Sequence, residues 1–237
     1  MKDKLFRKST YPEGFQFDSH VSQVFDDMVN RSVPYYQDIL VNQVEIIKKY
    51  TGNKLAIVDL GCSTGSHLIN IAMQLKDRNL TLTGIDNSSS MLDKAREKHG
   101  QYLGLQEVNW IESDLLQTDF PSADIFLCNF TLQFVKPVER RSLLSKIYHH
   151  LNPNGLLLLS EKIALPAEIS LWEEFYFDYK RNNGYSELEI SRKREALENV
   201  LIPWTDEQNR FEISKVGFYV ENYFKWFNWS CYFCQKK

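Results

Sequence analysis

Leu55-Ala56-Ile57-Val58-Asp59-Leu60-Gly61-Cys62-Ser63-Thr64-Gly65 is the stretch whose reading decides the fold. A short apolar run that ends in Asp and passes into Gly-x-x-x-Gly describes a buried strand delivering a glycine-bearing turn into a helix that begins near Ser66. Glycines in such a turn serve either tight strand-to-helix packing or the approach of backbone to a ligand, with the unpaired N–H groups of the following helix behind it. The loop alone does not choose between the two. The next apolar run, Leu80–Ile85, leads into Asp86-Asn87. A carboxylate at the end of a second strand, about 20 residues beyond the loop, is where a ribose diol is held in dinucleotide-type folds. Together the two strands describe a nucleoside-binding edge.

Outward from this edge the chain alternates. Leu68, Ile69, Ala72, Met73 and Leu75 recur at helical spacing after the loop, and Met91, Leu92 and Ala95 do so after Asp86. Val108–Asp114 forms a third strand, Asp124–Phe130 a nearly continuous apolar fourth, and Leu156–Leu159 a fifth, with a helix from Pro137 between the last two. Strand-helix alternation of this kind implies an α/β fold, a mostly parallel sheet wrapped by helices. Two helices precede the core, joined by Asn30–Tyr36, which serves either as a lid or as an ordinary helix corner. Aromatic strands from Tyr219 to Phe227 and Trp229 to Gln235 close the sheet as a hairpin with an antiparallel strand.

With 237 residues, 43% of them hydrophobic, the chain supports one large domain. We expect a flexible tail over residues 1–16 and a single domain over 17–237, with N-terminal helices at 17–52 and a helical insertion at 163–203. A net charge of −3 without a basic stripe argues against a nucleic-acid partner, and the basic cluster Lys2, Lys4, Arg7 and Lys8 reads as a solvated tail. No apolar leader or run of 18 apolar residues occurs, so the expectation is a cytoplasmic protein without membrane association. Cys231 and Cys234 sit three apart in a strand-like segment, where they face opposite ways, and no second Cys/His pair matches them, so no metal is expected.

Within the insertion, Ser186-x-x-Glu189 is a capping box that starts a helix. Its apolar stripe runs Ile190, Leu197, Leu201, and Arg194 falls on it. An Arg there either snorkels out, pairs with a buried acid or meets an anionic ligand.

Asp59–Ser63 with Gly65 and Ile85–Ser88 resembles the nucleotide edge of class I S-adenosylmethionine (SAM)-dependent methyltransferases, whose Rossmann-like, seven-stranded sheet is mostly parallel with an antiparallel C-terminal strand. Four longer strings, Arg31–Pro34, Asn129–Phe134, Leu159–Lys162 and Asn183–Ser191, are similar to the carboxy-S-adenosyl-L-methionine synthase family over roughly residues 17 to 230. That resemblance implies a homodimeric transferase that converts SAM and prephenate into carboxy-SAM and phenylpyruvate, the product feeding wobble-uridine modification of tRNA. It implies SAM as substrate and no metal. By matching motif, Gly61, Cys62 and Ser63 line the methionine and ribose side, Asp86 takes the ribose hydroxyls with Asn87 beside it, and Asp114 and Leu115 flank the adenine. Asn129 faces the reacting centre, Tyr36 closes over the ligand and Arg194 holds the transferred carboxylate. Two other readings share the nucleotide edge: an ordinary methyltransferase acting on a small molecule or tRNA, and a non-catalytic SAM-binding module.

Overall fold

The structure is a computed structural model that describes residues 2–8, 15–50, 52, 54–166 and 170–237. In chain order, helices α1 (Leu5–Lys8), α2 (Ser19–Ser32) and α3 (Tyr36–Lys49) lead into β1 (Lys54–Leu60), α4 (Ser66–Gln74), β2 (Asn79–Asp86), α5 (Ser89–His99), β3 (Val108–Glu112) and β4 (Ala123–Asn129). A one-turn 3₁₀ helix at Leu132–Phe134 precedes α6 (Pro137–His150) and β5 (Leu151–Lys162). Then come α7 (Ser170–Asn182), α8 (Glu187–Leu197), α9 (Asp206–Val216) and the hairpin β6 (Phe218–Trp226) and β7 (Trp229–Lys236).

The strands form one sheet in the order β3-β2-β1-β4-β5-β7-β6. All neighbours from β3 to β5 are parallel, while β7 runs antiparallel to both β5 and β6. Alternate residues of the central strands feed opposite faces. Val58, Leu60, Phe126, Cys128, Leu157 and Leu159 enter one apolar layer, and Ile57, Leu127 and Leu158 the other. Helices cover both layers, which is why these strands read as unbroken apolar runs. The chain leaves β1 toward β2 and β3, then returns to add β4 on the other side of β1. That reversal opens a crevice at the carboxyl ends of β1 and β4, where open α/β sheets bind ligands.

Two local features depart from the sequence reading. Residues 2–8, expected as a frayed tail, pack against the domain: Phe6 is 1% exposed and joins Phe15, Val21, Met91 and Ala196, while the buried Asp3 accepts a hydrogen bond from the Tyr185 hydroxyl at 2.7 Å. One aromatic side chain among the basic residues outweighs their solvation. Residues 9–14 of that expected tail, and 167–169 at the start of the expected insertion helix, lie outside the described residues. Strand β5 begins at Leu151 rather than Leu156, because Asn152–Gly155 is absorbed as an irregularity opposite β4, with Asn154 at φ 62. Asn tolerates that left-handed conformation better than most residues. Cys231 and Cys234 do face opposite ways, Cys234 into the apolar layer and Cys231 toward Ser160 and Tyr223.

Candidate functional site

The loop after β1 is pinned to β2: the N–H groups of Gly61 and Cys62 both donate to the Ile85 carbonyl, at 2.8 and 3.1 Å. This holds Ser63 in a left-handed conformation (φ 49) from which its N–H donates to Asp86 Oδ2 at 2.9 Å. Asp86 Oδ1 accepts the Ser88 N–H at 2.9 Å. The Asp86 side chain is thus oriented by backbone on both oxygens. Burial raises its carboxyl pKa, opposed by the N–H donors of Ser88, Ser63 and Asn87. Of the two functions open for the loop glycines, Gly65 serves packing: a Cβ there would stand 2.5 Å from the Trp110 ring, as one at Gly84 would at 2.7 Å. Gly61 (φ 73) makes the turn itself, with Thr131 so close that a Cβ would lie 2.3 Å from its hydroxyl. Asn87 and Asp114 are exposed at the edge of the crevice and Leu115 is half-buried.

Asn129 ends β4 at the centre. Its amide is locked to Gln43 of α3 by a reciprocal pair, Gln43 Nε2 to Asn129 Oδ1 at 2.7 Å and Asn129 Nδ2 to Gln43 Oε1 at 2.9 Å. Fully buried Gln43 also meets Ser160, Tyr223 and His67, so a helix outside the sheet sets the orientation of a pocket residue. His67 Nε2 lies 2.9 Å from Gln43 Oε1, an acceptor, so His67 is the neutral Nε2–H tautomer, and burial pushes its pKa down to about 3. Next to Asn129, the backbone N–H groups of Thr131, Leu132 and Gln133 all donate to the buried carboxylate of Glu161. Phe130, at φ 57, packs against Tyr36 with the rings tilted and their centroids 5.9 Å apart. Burial, then Asp26 and Asp59, raise the Tyr36 hydroxyl pKa.

Beyond Phe130 the wall becomes aromatic and cationic. Phe130, Trp229 and Tyr176 follow one another at centroid distances of 5.5 and 5.8 Å. Lys180 and Lys162 sit over the Tyr176 ring at 4.2 and 5.2 Å. Arg194 does not lie on the buried stripe of α8. That stripe is Glu189, Ile190, Lys193 and Ala196, and Arg194 stands at the rim, its side chain 68% exposed and its Nη2 4.0 Å from Glu173. One residue is 100° of helix, so the apolar spacing of Ile190 and Leu197 does not separate Lys193 from Arg194.

All ten expected site residues, Tyr36, Gly61, Cys62, Ser63, Asp86, Asn87, Asp114, Leu115, Asn129 and Arg194, line a single cavity of about 1370 Å³. A pocket for one small ligand usually has ~300–1,000 Å³. The same cavity takes in residues to which sequence reasoning gave no site role: Asp59, Lys162, Tyr176, Lys180 and Trp229. Asp59 is 4% exposed, and burial together with Asp86 pushes its carboxyl up to about 7. The spacing of Tyr176 and Lys180, one helical turn apart, was the available signal for the cationic wall. A buried, backbone-oriented carboxylate with lone pairs toward a cavity fits the ribose of an adenosyl ligand. Asp59 adds a negative group suited to a cationic one.

A family model described as a methyltransferase domain matches residues 58–157. A protein of Campylobacter jejuni named carboxy-S-adenosyl-L-methionine synthase is 43% identical over 239 residues, covering 100% of both chains. One of the same name from Desulfotalea psychrophila is 40% identical over 99% of this chain and 97% of its own. Among solved structures, magnesium protoporphyrin IX methyltransferase from Synechocystis, with bound SAH, superposes with a TM-score of 0.61 at 15% identity, covering 85% of this chain and 83% of that one. Human N-acetylserotonin methyltransferase in complex with SAM gives 0.60 at 14% identity, covering 92% and 55%. These two likenesses show the fold: class I SAM-dependent methyltransferase. Among the described residues no helix is long and apolar enough to cross a membrane.

Proposed function

The chain belongs to the carboxy-S-adenosyl-L-methionine synthase family, and from that premise we propose that it transfers the carboxyl group lost by prephenate to the sulfonium methyl of SAM, giving carboxy-SAM and phenylpyruvate. The observation that carries this reading is the polarity of the cavity. Its end over β1 and β2 is acidic and suits a cationic nucleoside, while the end beyond β4 is cationic and aromatic and suits an anionic ring. A methyl transfer to a neutral acceptor has no use for the second end.

In this reading Asp86 takes the ribose hydroxyls, Asp114 and Leu115 flank the adenine, Asn87 lies beside the ribose, and Gly61, Cys62 and Ser63 line the methionine side. Asp59, with its raised pKa, becomes a full anion against the bound cation. Asn129, held by Gln43, faces the reacting methyl, and Arg194 exchanges its loose contact with Glu173 for the transferred carboxylate. Aromatisation of prephenate releases carbon dioxide and the ring hydroxyl as hydroxide. The hydroxide takes a methyl proton, leaving water, and the methyl carbon bonds to carbon dioxide, so that atoms and charge balance without an enzyme base. Tyr36 and the Phe130–Trp229–Tyr176 wall keep bulk water, the competing proton source, from the carbanionic carbon. The product supplies wobble-uridine modification of tRNA in the cytoplasm. The protein acts as a homodimer, a reading supported by the exposed Leu171, Phe175 and Leu188 on α7 and α8.

The test is incubation with SAM and prephenate, reading phenylpyruvate and the mass of the nucleoside. A nucleoside heavier by one carboxyl group is expected, and Arg194→Leu is expected to bind SAM normally while losing most of that product. Methylation of an acceptor with no carboxylated nucleoside would replace this reading with an ordinary methyltransferase.

A further inference from the structure

Among the described residues, two lysines in the cavity wall make no ion pair. Lys180, from the last turns of α7, is 5% exposed, and Lys162, the last residue of β5, is half-buried. Both ammonium groups lean on the same face-forming ring, Tyr176, and both line the cavity. Among the described residues neither has a carboxylate within ion-pair distance or a hydrogen-bond acceptor. Among the described residues the acid that acts on both is Glu173, half-exposed and 4.0 Å from Arg194. Lys193 differs: its Nζ donates to Ser32 Oγ at 2.5 Å, it feels Asp3 and Asp27, and it lies between Phe6 and Tyr185 as part of the N-terminal packing. Buried ammonium groups are costly unless paired. Burial, then Lys193 and Lys162, hold the Lys180 pKa well below its ordinary value, and an anion bound beside it would favour the protonated form.

Resting on the synthase reading above, we propose that Lys162 and Lys180 together bind the carboxylate of the second substrate that is retained in the product, the 2-oxo acid end, with the ring against Tyr176 and Trp229. The chemistry separates this carboxylate from the transferred one. A carboxylate that must leave as neutral carbon dioxide loses its charge on the way to the transition state, so a tight ion pair with it would hold the ground state back. A carboxylate that keeps its charge throughout is the one that two fixed cations anchor without cost to the chemical step. The expelled carboxylate shares its ring carbon with the 2-oxo acid side chain, so a side chain held by the two lysines leaves the expelled group free of them and open to the SAM end.

Because the retained carboxylate is present in phenylpyruvate, the anchor is read without turnover. Lys180→Met and Lys162→Met keep the apolar stem and remove the charge. Each is expected to weaken phenylpyruvate binding by titration, and to raise the KM for prephenate, about 10- to 100-fold, with the affinity for SAM unchanged within about twofold. Lys180→Met is expected to melt no lower than wild type, since it removes a buried amine that has no hydrogen-bond acceptor among the described residues. The two substitutions lie on different elements, so one tests the proposal if the other fails to fold. Unaltered phenylpyruvate affinity in a folded variant overturns the lysine anchor while wild-type synthesis of carboxy-SAM continues to support the synthase. Absence of carboxy-SAM from the wild-type reaction overturns the synthase instead.

Discussion

Replacing Asp86 with Ala separates what this carboxylate does for the ligand from what it does for the loop. The side chain is 8% exposed, with one oxygen accepting the Ser63 N–H and the other the Ser88 N–H, each at 2.9 Å. An ionised carboxylate has about four lone-pair directions, so two remain for the two ribose hydroxyls. Hydrogen bonds to a charged group contribute about 1.5–3 kcal/mol, so Asp86→Ala is expected to lower SAM affinity roughly 10- to 150-fold. The same substitution leaves two loop N–H groups without their acceptor, at about 1–3 kcal/mol for each that water does not reach. Asp86→Asn retains the shape but sets an amide N–H₂ against one backbone donor, and should fall between Ala and wild type in both measures. Calorimetric titration with SAM, alongside thermal unfolding to establish that the variants are folded, reads the two effects independently. Wild-type affinity in a folded Asp86→Ala protein would refute the assignment of the ribose to this carboxylate.

Asp59 predicts a pH dependence. With its carboxyl at about 7 in the free protein, binding of a cation favours the ionised form, so SAM affinity should improve as pH rises from 6 to 8 and then level. Calorimetry at pH 6.5 in buffers of different ionisation enthalpy should show proton release, and a flat profile would exclude the pairing. The folded value lies above the ordinary 3.8, so the same group favours folding less as pH rises from about 4 to about 7, and Asp59→Asn should remove that slope from thermal melts. Gln43→Leu leaves Asn129, His67 and their neighbours without partners, and should lower stability by about 1–3 kcal/mol per buried group left unpaired while reducing kcat more than SAM affinity. Denaturant unfolding and steady-state kinetics check both halves. With a net charge of −3, the chain should not shift bulk tRNA in a gel at 150 mM salt, and tight, salt-dependent binding would favour a tRNA methyltransferase.

The amino-acid sequence by itself determined the architecture and the acidic end of the cavity. Alternating apolar runs and helical stripes encode which residues are buried, and a strand ending in Asp59 before a glycine turn, followed by a strand ending in Asp86, is local information of a few residues each. The capping box at Ser186 is equally local: it places a hydroxyl and a carboxylate three residues apart, and it starts the helix found there. Tertiary structure alone decided the other end. Lys162 closes a strand, Lys180 lies in the last turn of α7, and Trp229 opens the last strand, so no spacing links them until the sheet order sets β5 beside β7 and α7 over both. The same holds for α8 and the N-terminus. Periodicity states that one face of α8 is buried but not against what, and only the packing of Phe6 and Ser32 on it turns Lys193 inward and leaves Arg194 at the rim. Hydrophobic pattern is a property of each segment, whereas the pairing of charges across a cavity depends on which distant segments meet, and a lysine's apolar stem lets its sequence position fit either face until they do.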